Sequence, residues 1–183
     1  MKKWKDYNIG FKGLKDGNHQ FKYEIDGSFF SLFEGAMYED GNLNVTIDMK
    51  KSSQMLIFDY IVKGNVASVC DVCLEPVKLP VDYSTRVYVK FGQEYEEMSE
   101  DIIIIPQEAH EINVAATIYD LIVTSLPIRH VHPTDENGNS TCNPVMIEQL
   151  SGYLVEEVND DPDEETTDPR WDELKKLLDN NNK

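Results

Sequence analysis

Leu43, Val45, Ile47 and Met49 alternate with Asn44, Thr46, Asp48 and Lys50. A strict period of two suits a strand, whose successive side chains point to opposite faces, and defeats a helix. The chain must therefore build a sheet with one buried and one solvated face. Phe21, Tyr23 and Ile25 repeat the pattern against Lys22 and Glu24, and a turn follows at Asp26-Gly27. Residues 28–33 fit either a short helix capped by Asp26 or Ser28 or a second strand of the same hairpin. Asp40-Gly41-Asn42 reads as a hairpin turn before residues 43–49, and residues 56–62 read as a strand ending near Gly64-Asn65. Residues 66–69, 77–81 and 86–91 are further β-branched and aromatic runs. Five of the eight residues 94–101 are acidic, which predicts a solvated loop before a strand at 102–105. Val114, Ala115, Ile118, Leu121 and Ile122 recur at helical spacing behind Asn113, a good cap, and predict a helix over 114–126 that stops before Pro127. Pro144 starts a short helix through Leu150. The expected fold is α+β, a mainly antiparallel β-sheet covered by one or two helices.

The 183 residues predict a single α+β domain over 1–155, followed by an acidic linker and a short C-terminal helix over 156–183. Residues 159–167 contain no apolar side chain to bury. Trp171, Leu174 and Leu177 then recur at helical spacing and fit either a partner-binding face or a helix docked on its own domain. The formal charge is −17, and its placement matters more than its size. Residues 1–90 carry 12 basic and 12 acidic side chains, whereas residues 91–169 carry only Arg129 against 19 acidic ones. Such a half repels nucleic acid, whose phosphates are bound mainly by Lys and Arg, and suits a basic partner. No apolar run approaches the roughly 20 residues that cross a bilayer. The positive start Met1-Lys2-Lys3 is followed by Tyr7, Asn8 and Gly10 rather than an apolar stretch, so the expected location is the cytoplasm, with no membrane contact.

Three cysteines are an odd number, and two of them form Cys70-Asp71-Val72-Cys73. That spacing chelates one ion through two thiolates, and Cys142 with His132 completes a Cys3His set of the structural zinc type; His130 is a substitute ligand. The other reading is a turn of reduced, partly buried thiols that pack as small apolar groups. A thioredoxin-like role needs the motif at a helix start, whereas here it lies between two strands. His19 and His110 stand alone. Phosphate loops, dinucleotide fingerprints and hydrolase elbows have no matching residues, so no enzyme is expected.

The run Val69-Cys70-Asp71-Val72-Cys73-Leu74-Glu75-Pro76-Val77 resembles the central signature of the YceD family, in which a strand ends at a Cys-x-x-Cys-Leu-Glu-Pro turn. The likeness continues through Asp101-Ile102-Ile103, through Leu126-Pro127, through His132 followed by Cys142, and through Asp168-Pro169-Arg170-Trp171 with Leu174, Lys175 and Lys176. It covers the chain from about Asn42 onward. The resemblance implies an α+β domain and a part in accumulation, processing or assembly of large-subunit ribosomal RNA. Genes of the family commonly lie beside that of a small, basic large-subunit protein. The implied partner is such a protein or a pre-ribosomal particle, which agrees with the acidic half. The alternative is a direct RNA-binding accessory using Lys2, Lys3, Lys5, Lys12 and Lys15, with Trp4, Tyr7 and Phe11 as stacking surfaces.

Overall fold

The computed structural model describes residues 2–153. After a 3₁₀ turn at Trp4–Tyr7 come β1 (Asn8–Gly10), β2 (Gly17–Ile25), α1 (Gly27–Phe30), β3 (Gly41–Lys51) and β4 (Met55–Val69). Next are β5 (Pro76–Gly92), β6 (Glu96–Ser99), β7 (Ile102–Pro106), β8 (Glu111–Asn113), α2 (Ala115–Ser125) and α3 (Pro144–Ser151). Six strands form one sheet in the order β2-β3-β4-β5-β7-β6, antiparallel throughout except for the parallel pair β5 and β7. β1 and β8 form a separate antiparallel ribbon. This is the expected α+β arrangement. The chain divides into two compact units, Met1–Ile147 and Glu148–Lys183, with the boundary inside α3. The linker and helix expected over 156–183, with Trp171, Leu174 and Leu177, lie outside the described residues.

The period-two pattern sets which face of the sheet is buried. Leu43, Val45, Ile47 and Met49 are all but inaccessible. They pair in register with Gly64, Val62, Tyr60 and Phe58 of β4. α2 lays Ala115, Ile118 and Ile122 onto this inner face, each isoleucine adding about 1.5–3 kcal/mol of apolar burial. Phe29 and Phe30 of α1 are buried too, and Phe33 stacks on Tyr119 of α2 with ring centroids 4.2 Å apart. The outer face is solvated and carries cross-strand polar pairs. Arg86 grips Asp59 through Nε and Nη2 at 2.5 and 3.0 Å, and Lys63 meets Asp82 at 3.2 Å. Exposed pairs of this kind contribute at most about 1 kcal/mol each.

Four local expectations are changed or decided. Gly64-Asn65 does not end a strand, because β4 runs through it with the inward parity unbroken from Leu56 to Val66. Gly64 has φ +150°, and a Cβ there would lie 2.2 Å from the carbonyl oxygen of Asn42; the missing side chain lets β3 approach. Asp40-Gly41-Asn42 is no hairpin turn either, since Gly41 and Asn42 already pair with Val66 and Asn65. Residues 96–99 form β6, paired to β7 with all four side chains exposed, so backbone pairing rather than burial makes this strand. Residues 27–30 are helical, with the Asp26 carboxylate accepting from Ser28 N at 3.0 Å. Val114 is the N-cap of α2, and the Asn113 side chain just before it supports the helix start, its Oδ1 accepting from Ala115 N at 3.0 Å.

Candidate metal centre

β4 and β5 form one long hairpin, paired from Met55 with Lys90 to Val69 with Pro76, and the Cys-x-x-Cys motif is its tip. The inward parity of β4 delivers Ser68 and then Cys70 to the buried face. The turn closes through Cys70 N to Glu75 O at 2.9 Å and Leu74 N to Cys70 O at 2.9 Å. Leu74 takes the left-handed conformation at φ 58°, which folds Cys73 back beside Cys70.

His132 and Cys142 arrive from the segment between α2 and α3. They are ten positions apart, yet the intervening loop is closed rather than open. Thr134 bridges Ser140, Gly138 turns at φ 82°, and Thr141 Oγ1 donates to Pro133 O at 2.6 Å. Asp135 accepts from the backbone amides of Asn137 and Asn139 at 2.9 and 2.7 Å. These bonds hold its carboxyl below the ordinary carboxylate range, the Asn139 amide acting most strongly. The Asp, Asn and Gly content of this stretch thus makes a turn that sets Cys142 beside His132.

The four predicted donors come together. The sulfurs of Cys70, Cys73 and Cys142 and a ring nitrogen of His132 all lie within 4.8 Å of one another. Cys70 Sγ to Cys142 Sγ is 3.7 Å, Cys73 Sγ to His132 Nδ1 is 3.4 Å, and Cys142 Sγ to His132 Nδ1 is 3.7 Å. With zinc–sulfur bonds of about 2.3 Å and zinc–nitrogen bonds of about 2.0–2.1 Å, a regular tetrahedron has edges of about 3.8 Å between sulfurs and about 3.5 Å from sulfur to nitrogen. These three separations match the edges of such a tetrahedron. All three cysteines are buried and unpaired as disulfides.

The surroundings favour the thiolate at Cys70 and Cys142. Burial pushes the Cys70 thiol up, but the amides of Cys73, Val72 and His132, with the His132 ring, outweigh it and bring it down to about 6. The Ser140 hydroxyl and then His132 lower Cys142, while burial raises Cys73. His132 is raised by the sulfurs of Cys70 and Cys142. Its Nε2 lies 3.3 Å from Pro76 O, which holds that proton away from the sulfurs and leaves Nδ1 as the donor atom.

Residues beyond the donors lock the two halves together. Asp71 N donates to His130 O at 2.7 Å, and His130 N returns a bond to Asp71 Oδ2 at 2.6 Å. Asn143 Nδ2 donates to Glu75 Oε1 at 2.7 Å, while Asn143 Oδ1 accepts from Val145 N at the start of α3. Asp71, Glu75 and Pro76 of the motif therefore each hold the opposite segment. His130 is not a substitute ligand: its ring bonds Ser68 Oγ at 2.9 Å and Tyr38 Oη at 3.1 Å. Of the aromatic residues of the alternative RNA surface, Tyr7 and Phe11 are buried at 1% and 3% exposure, and Trp4 is exposed. Lys2 pairs with Asp26 at 3.2 Å.

A family model described as "Large ribosomal RNA subunit accumulation protein YceD" matches residues 58–178, a span that holds all four donors. No curated protein and no solved structure matches the chain. No helix among the described residues is long and apolar enough to cross a membrane.

Proposed function

The chain belongs to the YceD family, and from that premise we propose that it promotes accumulation of large-subunit ribosomal RNA by holding a basic ribosomal protein or assembly intermediate. The family's description ties it to the large subunit. The observation that carries the finer reading is the charge of residues 91–169, with Arg129 alone against 19 carboxylates. A Lys- and Arg-rich ribosomal protein awaiting RNA needs temporary anionic partners, and an acidic surface supplies them while speeding encounter. RNA, with its denser charge, then displaces the holder.

Cys70, Cys73, His132 and Cys142 hold a zinc ion in this reading. Four protein ligands fill the tetrahedron and leave no open position for substrate, so the ion is structural and the protein is a binding factor rather than an enzyme. Its work is to fix the hairpin tip to the segment after α2.

Affinity capture of the intact chain from cells in mild salt, followed by elution with rising salt, tests the proposal. A Lys- and Arg-rich large-subunit protein is expected to elute as the Debye length falls from about 8 Å toward about 3 Å. Tight retention of naked ribosomal RNA, lost when Lys2, Lys3 and Lys5 are changed to Gln, would instead establish the RNA-binding alternative.

A further inference from the structure

α2 leaves part of the inner face of the sheet uncovered. Along β5 the inward positions Val77, Leu79, Val81, Val87 and Val89 are buried, but Tyr83 between them is 37% exposed and Thr85 is half-buried. The gap opens into a groove of about 530 Å³ between α2 and the strands β5, β6 and β7. Ile103, Ile112 and Leu121 make its apolar walls. Glu97, Glu100 and Asp101 from the sheet edge and Asp120 from α2 bring four carboxylates to it, and among the described residues no Lys or Arg lines it. The ion pairs among the described residues lie elsewhere. Glu97 is held in place by Tyr95, whose hydroxyl donates to Oε1 at 2.5 Å. Burial, and then the charge of Glu97, raise the Asp120 carboxyl above its ordinary range, as crowded negative charge without a counter-ion does.

We propose that this groove docks a Lys- or Arg-rich segment of a protein partner, with cationic ends against Asp120, Glu97 and Glu100 and methylene stems along Ile103, Ile112 and Leu121. The inference rests on the basic-partner reading and names its surface. An apolar lining flanked by carboxylates matches the two-part chemistry of Lys and Arg, whose stems bury while their charged ends stay paired. Tyr83 and Tyr95 add ring faces for guanidinium groups. Nucleic acid is repelled by the same carboxylates. A second copy of this chain, with a net charge of −17, brings the wrong sign.

The test is a titration of the full chain with a fluorescent peptide of alternating Arg and Ala, at low and high salt. Asp120→Lys and the double change Glu97→Gln/Glu100→Gln are expected to weaken binding at least about tenfold. Thr124→Arg keeps all four carboxylates but sets a guanidinium in the groove, and the same loss is expected. Glu34→Gln/Glu39→Gln, which removes two exposed carboxylates outside the groove, is expected to leave binding within about twofold. Asp120 and Thr124 are exposed, so these variants fold. Absence of peptide binding by the unaltered chain, or equal binding by the groove variants, overturns the groove. Affinity capture from cells is read separately, so a basic partner bound elsewhere would still be seen.

Discussion

Cys70 bears the heaviest demand of any single residue, because its sulfur is fully buried and three backbone amides hold it toward the thiolate. A buried thiolate needs a counter-charge, and a divalent ion shared with Cys73, Cys142 and His132, as proposed, would provide it. Purified protein is expected to carry one zinc per chain, and Cys70→Ser to lose it together with stability. A ligand a thousandfold above its dissociation constant contributes about 4 kcal/mol, which sets the size of the fall. Metal-free protein whose melting temperature ignores the substitution would remove the ion from the account. Gly64 makes a second demand at this scale. Ala in its place sets a Cβ against Asn42 O in a backbone conformation that side chains disfavour, and a loss of about 2 kcal/mol or more in denaturant unfolding is expected. An unchanged midpoint would mean that β3 moves aside freely. Cys70 and Cys73 were legible as a pair because their spacing suits chelation, whereas His132 and Cys142, ten positions apart, were picked out by residue type and family resemblance rather than by tight spacing. The clamps at Asp71, Glu75 and Asn143 were not, since nothing in their residue types says which distant backbone they meet.

At the scale of elements, strands with an apolar alternation could be read, and those made by pairing alone could not. β2 and β3 follow from Phe21, Tyr23 and Ile25 and from Leu43 to Met49. β6 has no buried side chain, so its acidic sequence looks like a loop. β1 and β8 are three residues each and about a hundred positions apart; no local pattern announces such a ribbon. The same ribbon is why Tyr7, Ile9 and Phe11 are core residues rather than a stacking surface. The hairpin of β4 and β5 was read as four short runs because Gly64-Asn65 and the polar stretch around Tyr83 and Thr85 interrupt its apolar character. Both interruptions have structural causes: close approach of β3 at the first, and an uncovered inner face at the second. The hairpin's full length is what carries Cys70 and Cys73 to the segment after α2, so the interrupted apolar pattern and the cysteine pair belong to one feature.

For the whole molecule, the fold and the charge divide the labour. The sheet, α2 and the Cys3His cluster make a stable body, and the carboxylates of β6 and α2 crowd onto one groove of it. In the proposed reading such a body would gain little affinity for RNA and much for polycations, a selectivity set by sign before any shape is considered. In the function proposed above, the protein acts on ribosomal RNA indirectly: without it, a basic large-subunit protein would be delivered late or lost, and incompletely covered RNA would be degraded. The small subunit, which does not contain that protein, would then be spared. The most direct measurement is the ratio of large- to small-subunit ribosomal RNA in cells from which the protein has been deleted. The ratio is expected to fall and to recover when the intact chain is restored; a ratio that stays the same, or a fall in both RNAs together, would contradict the account.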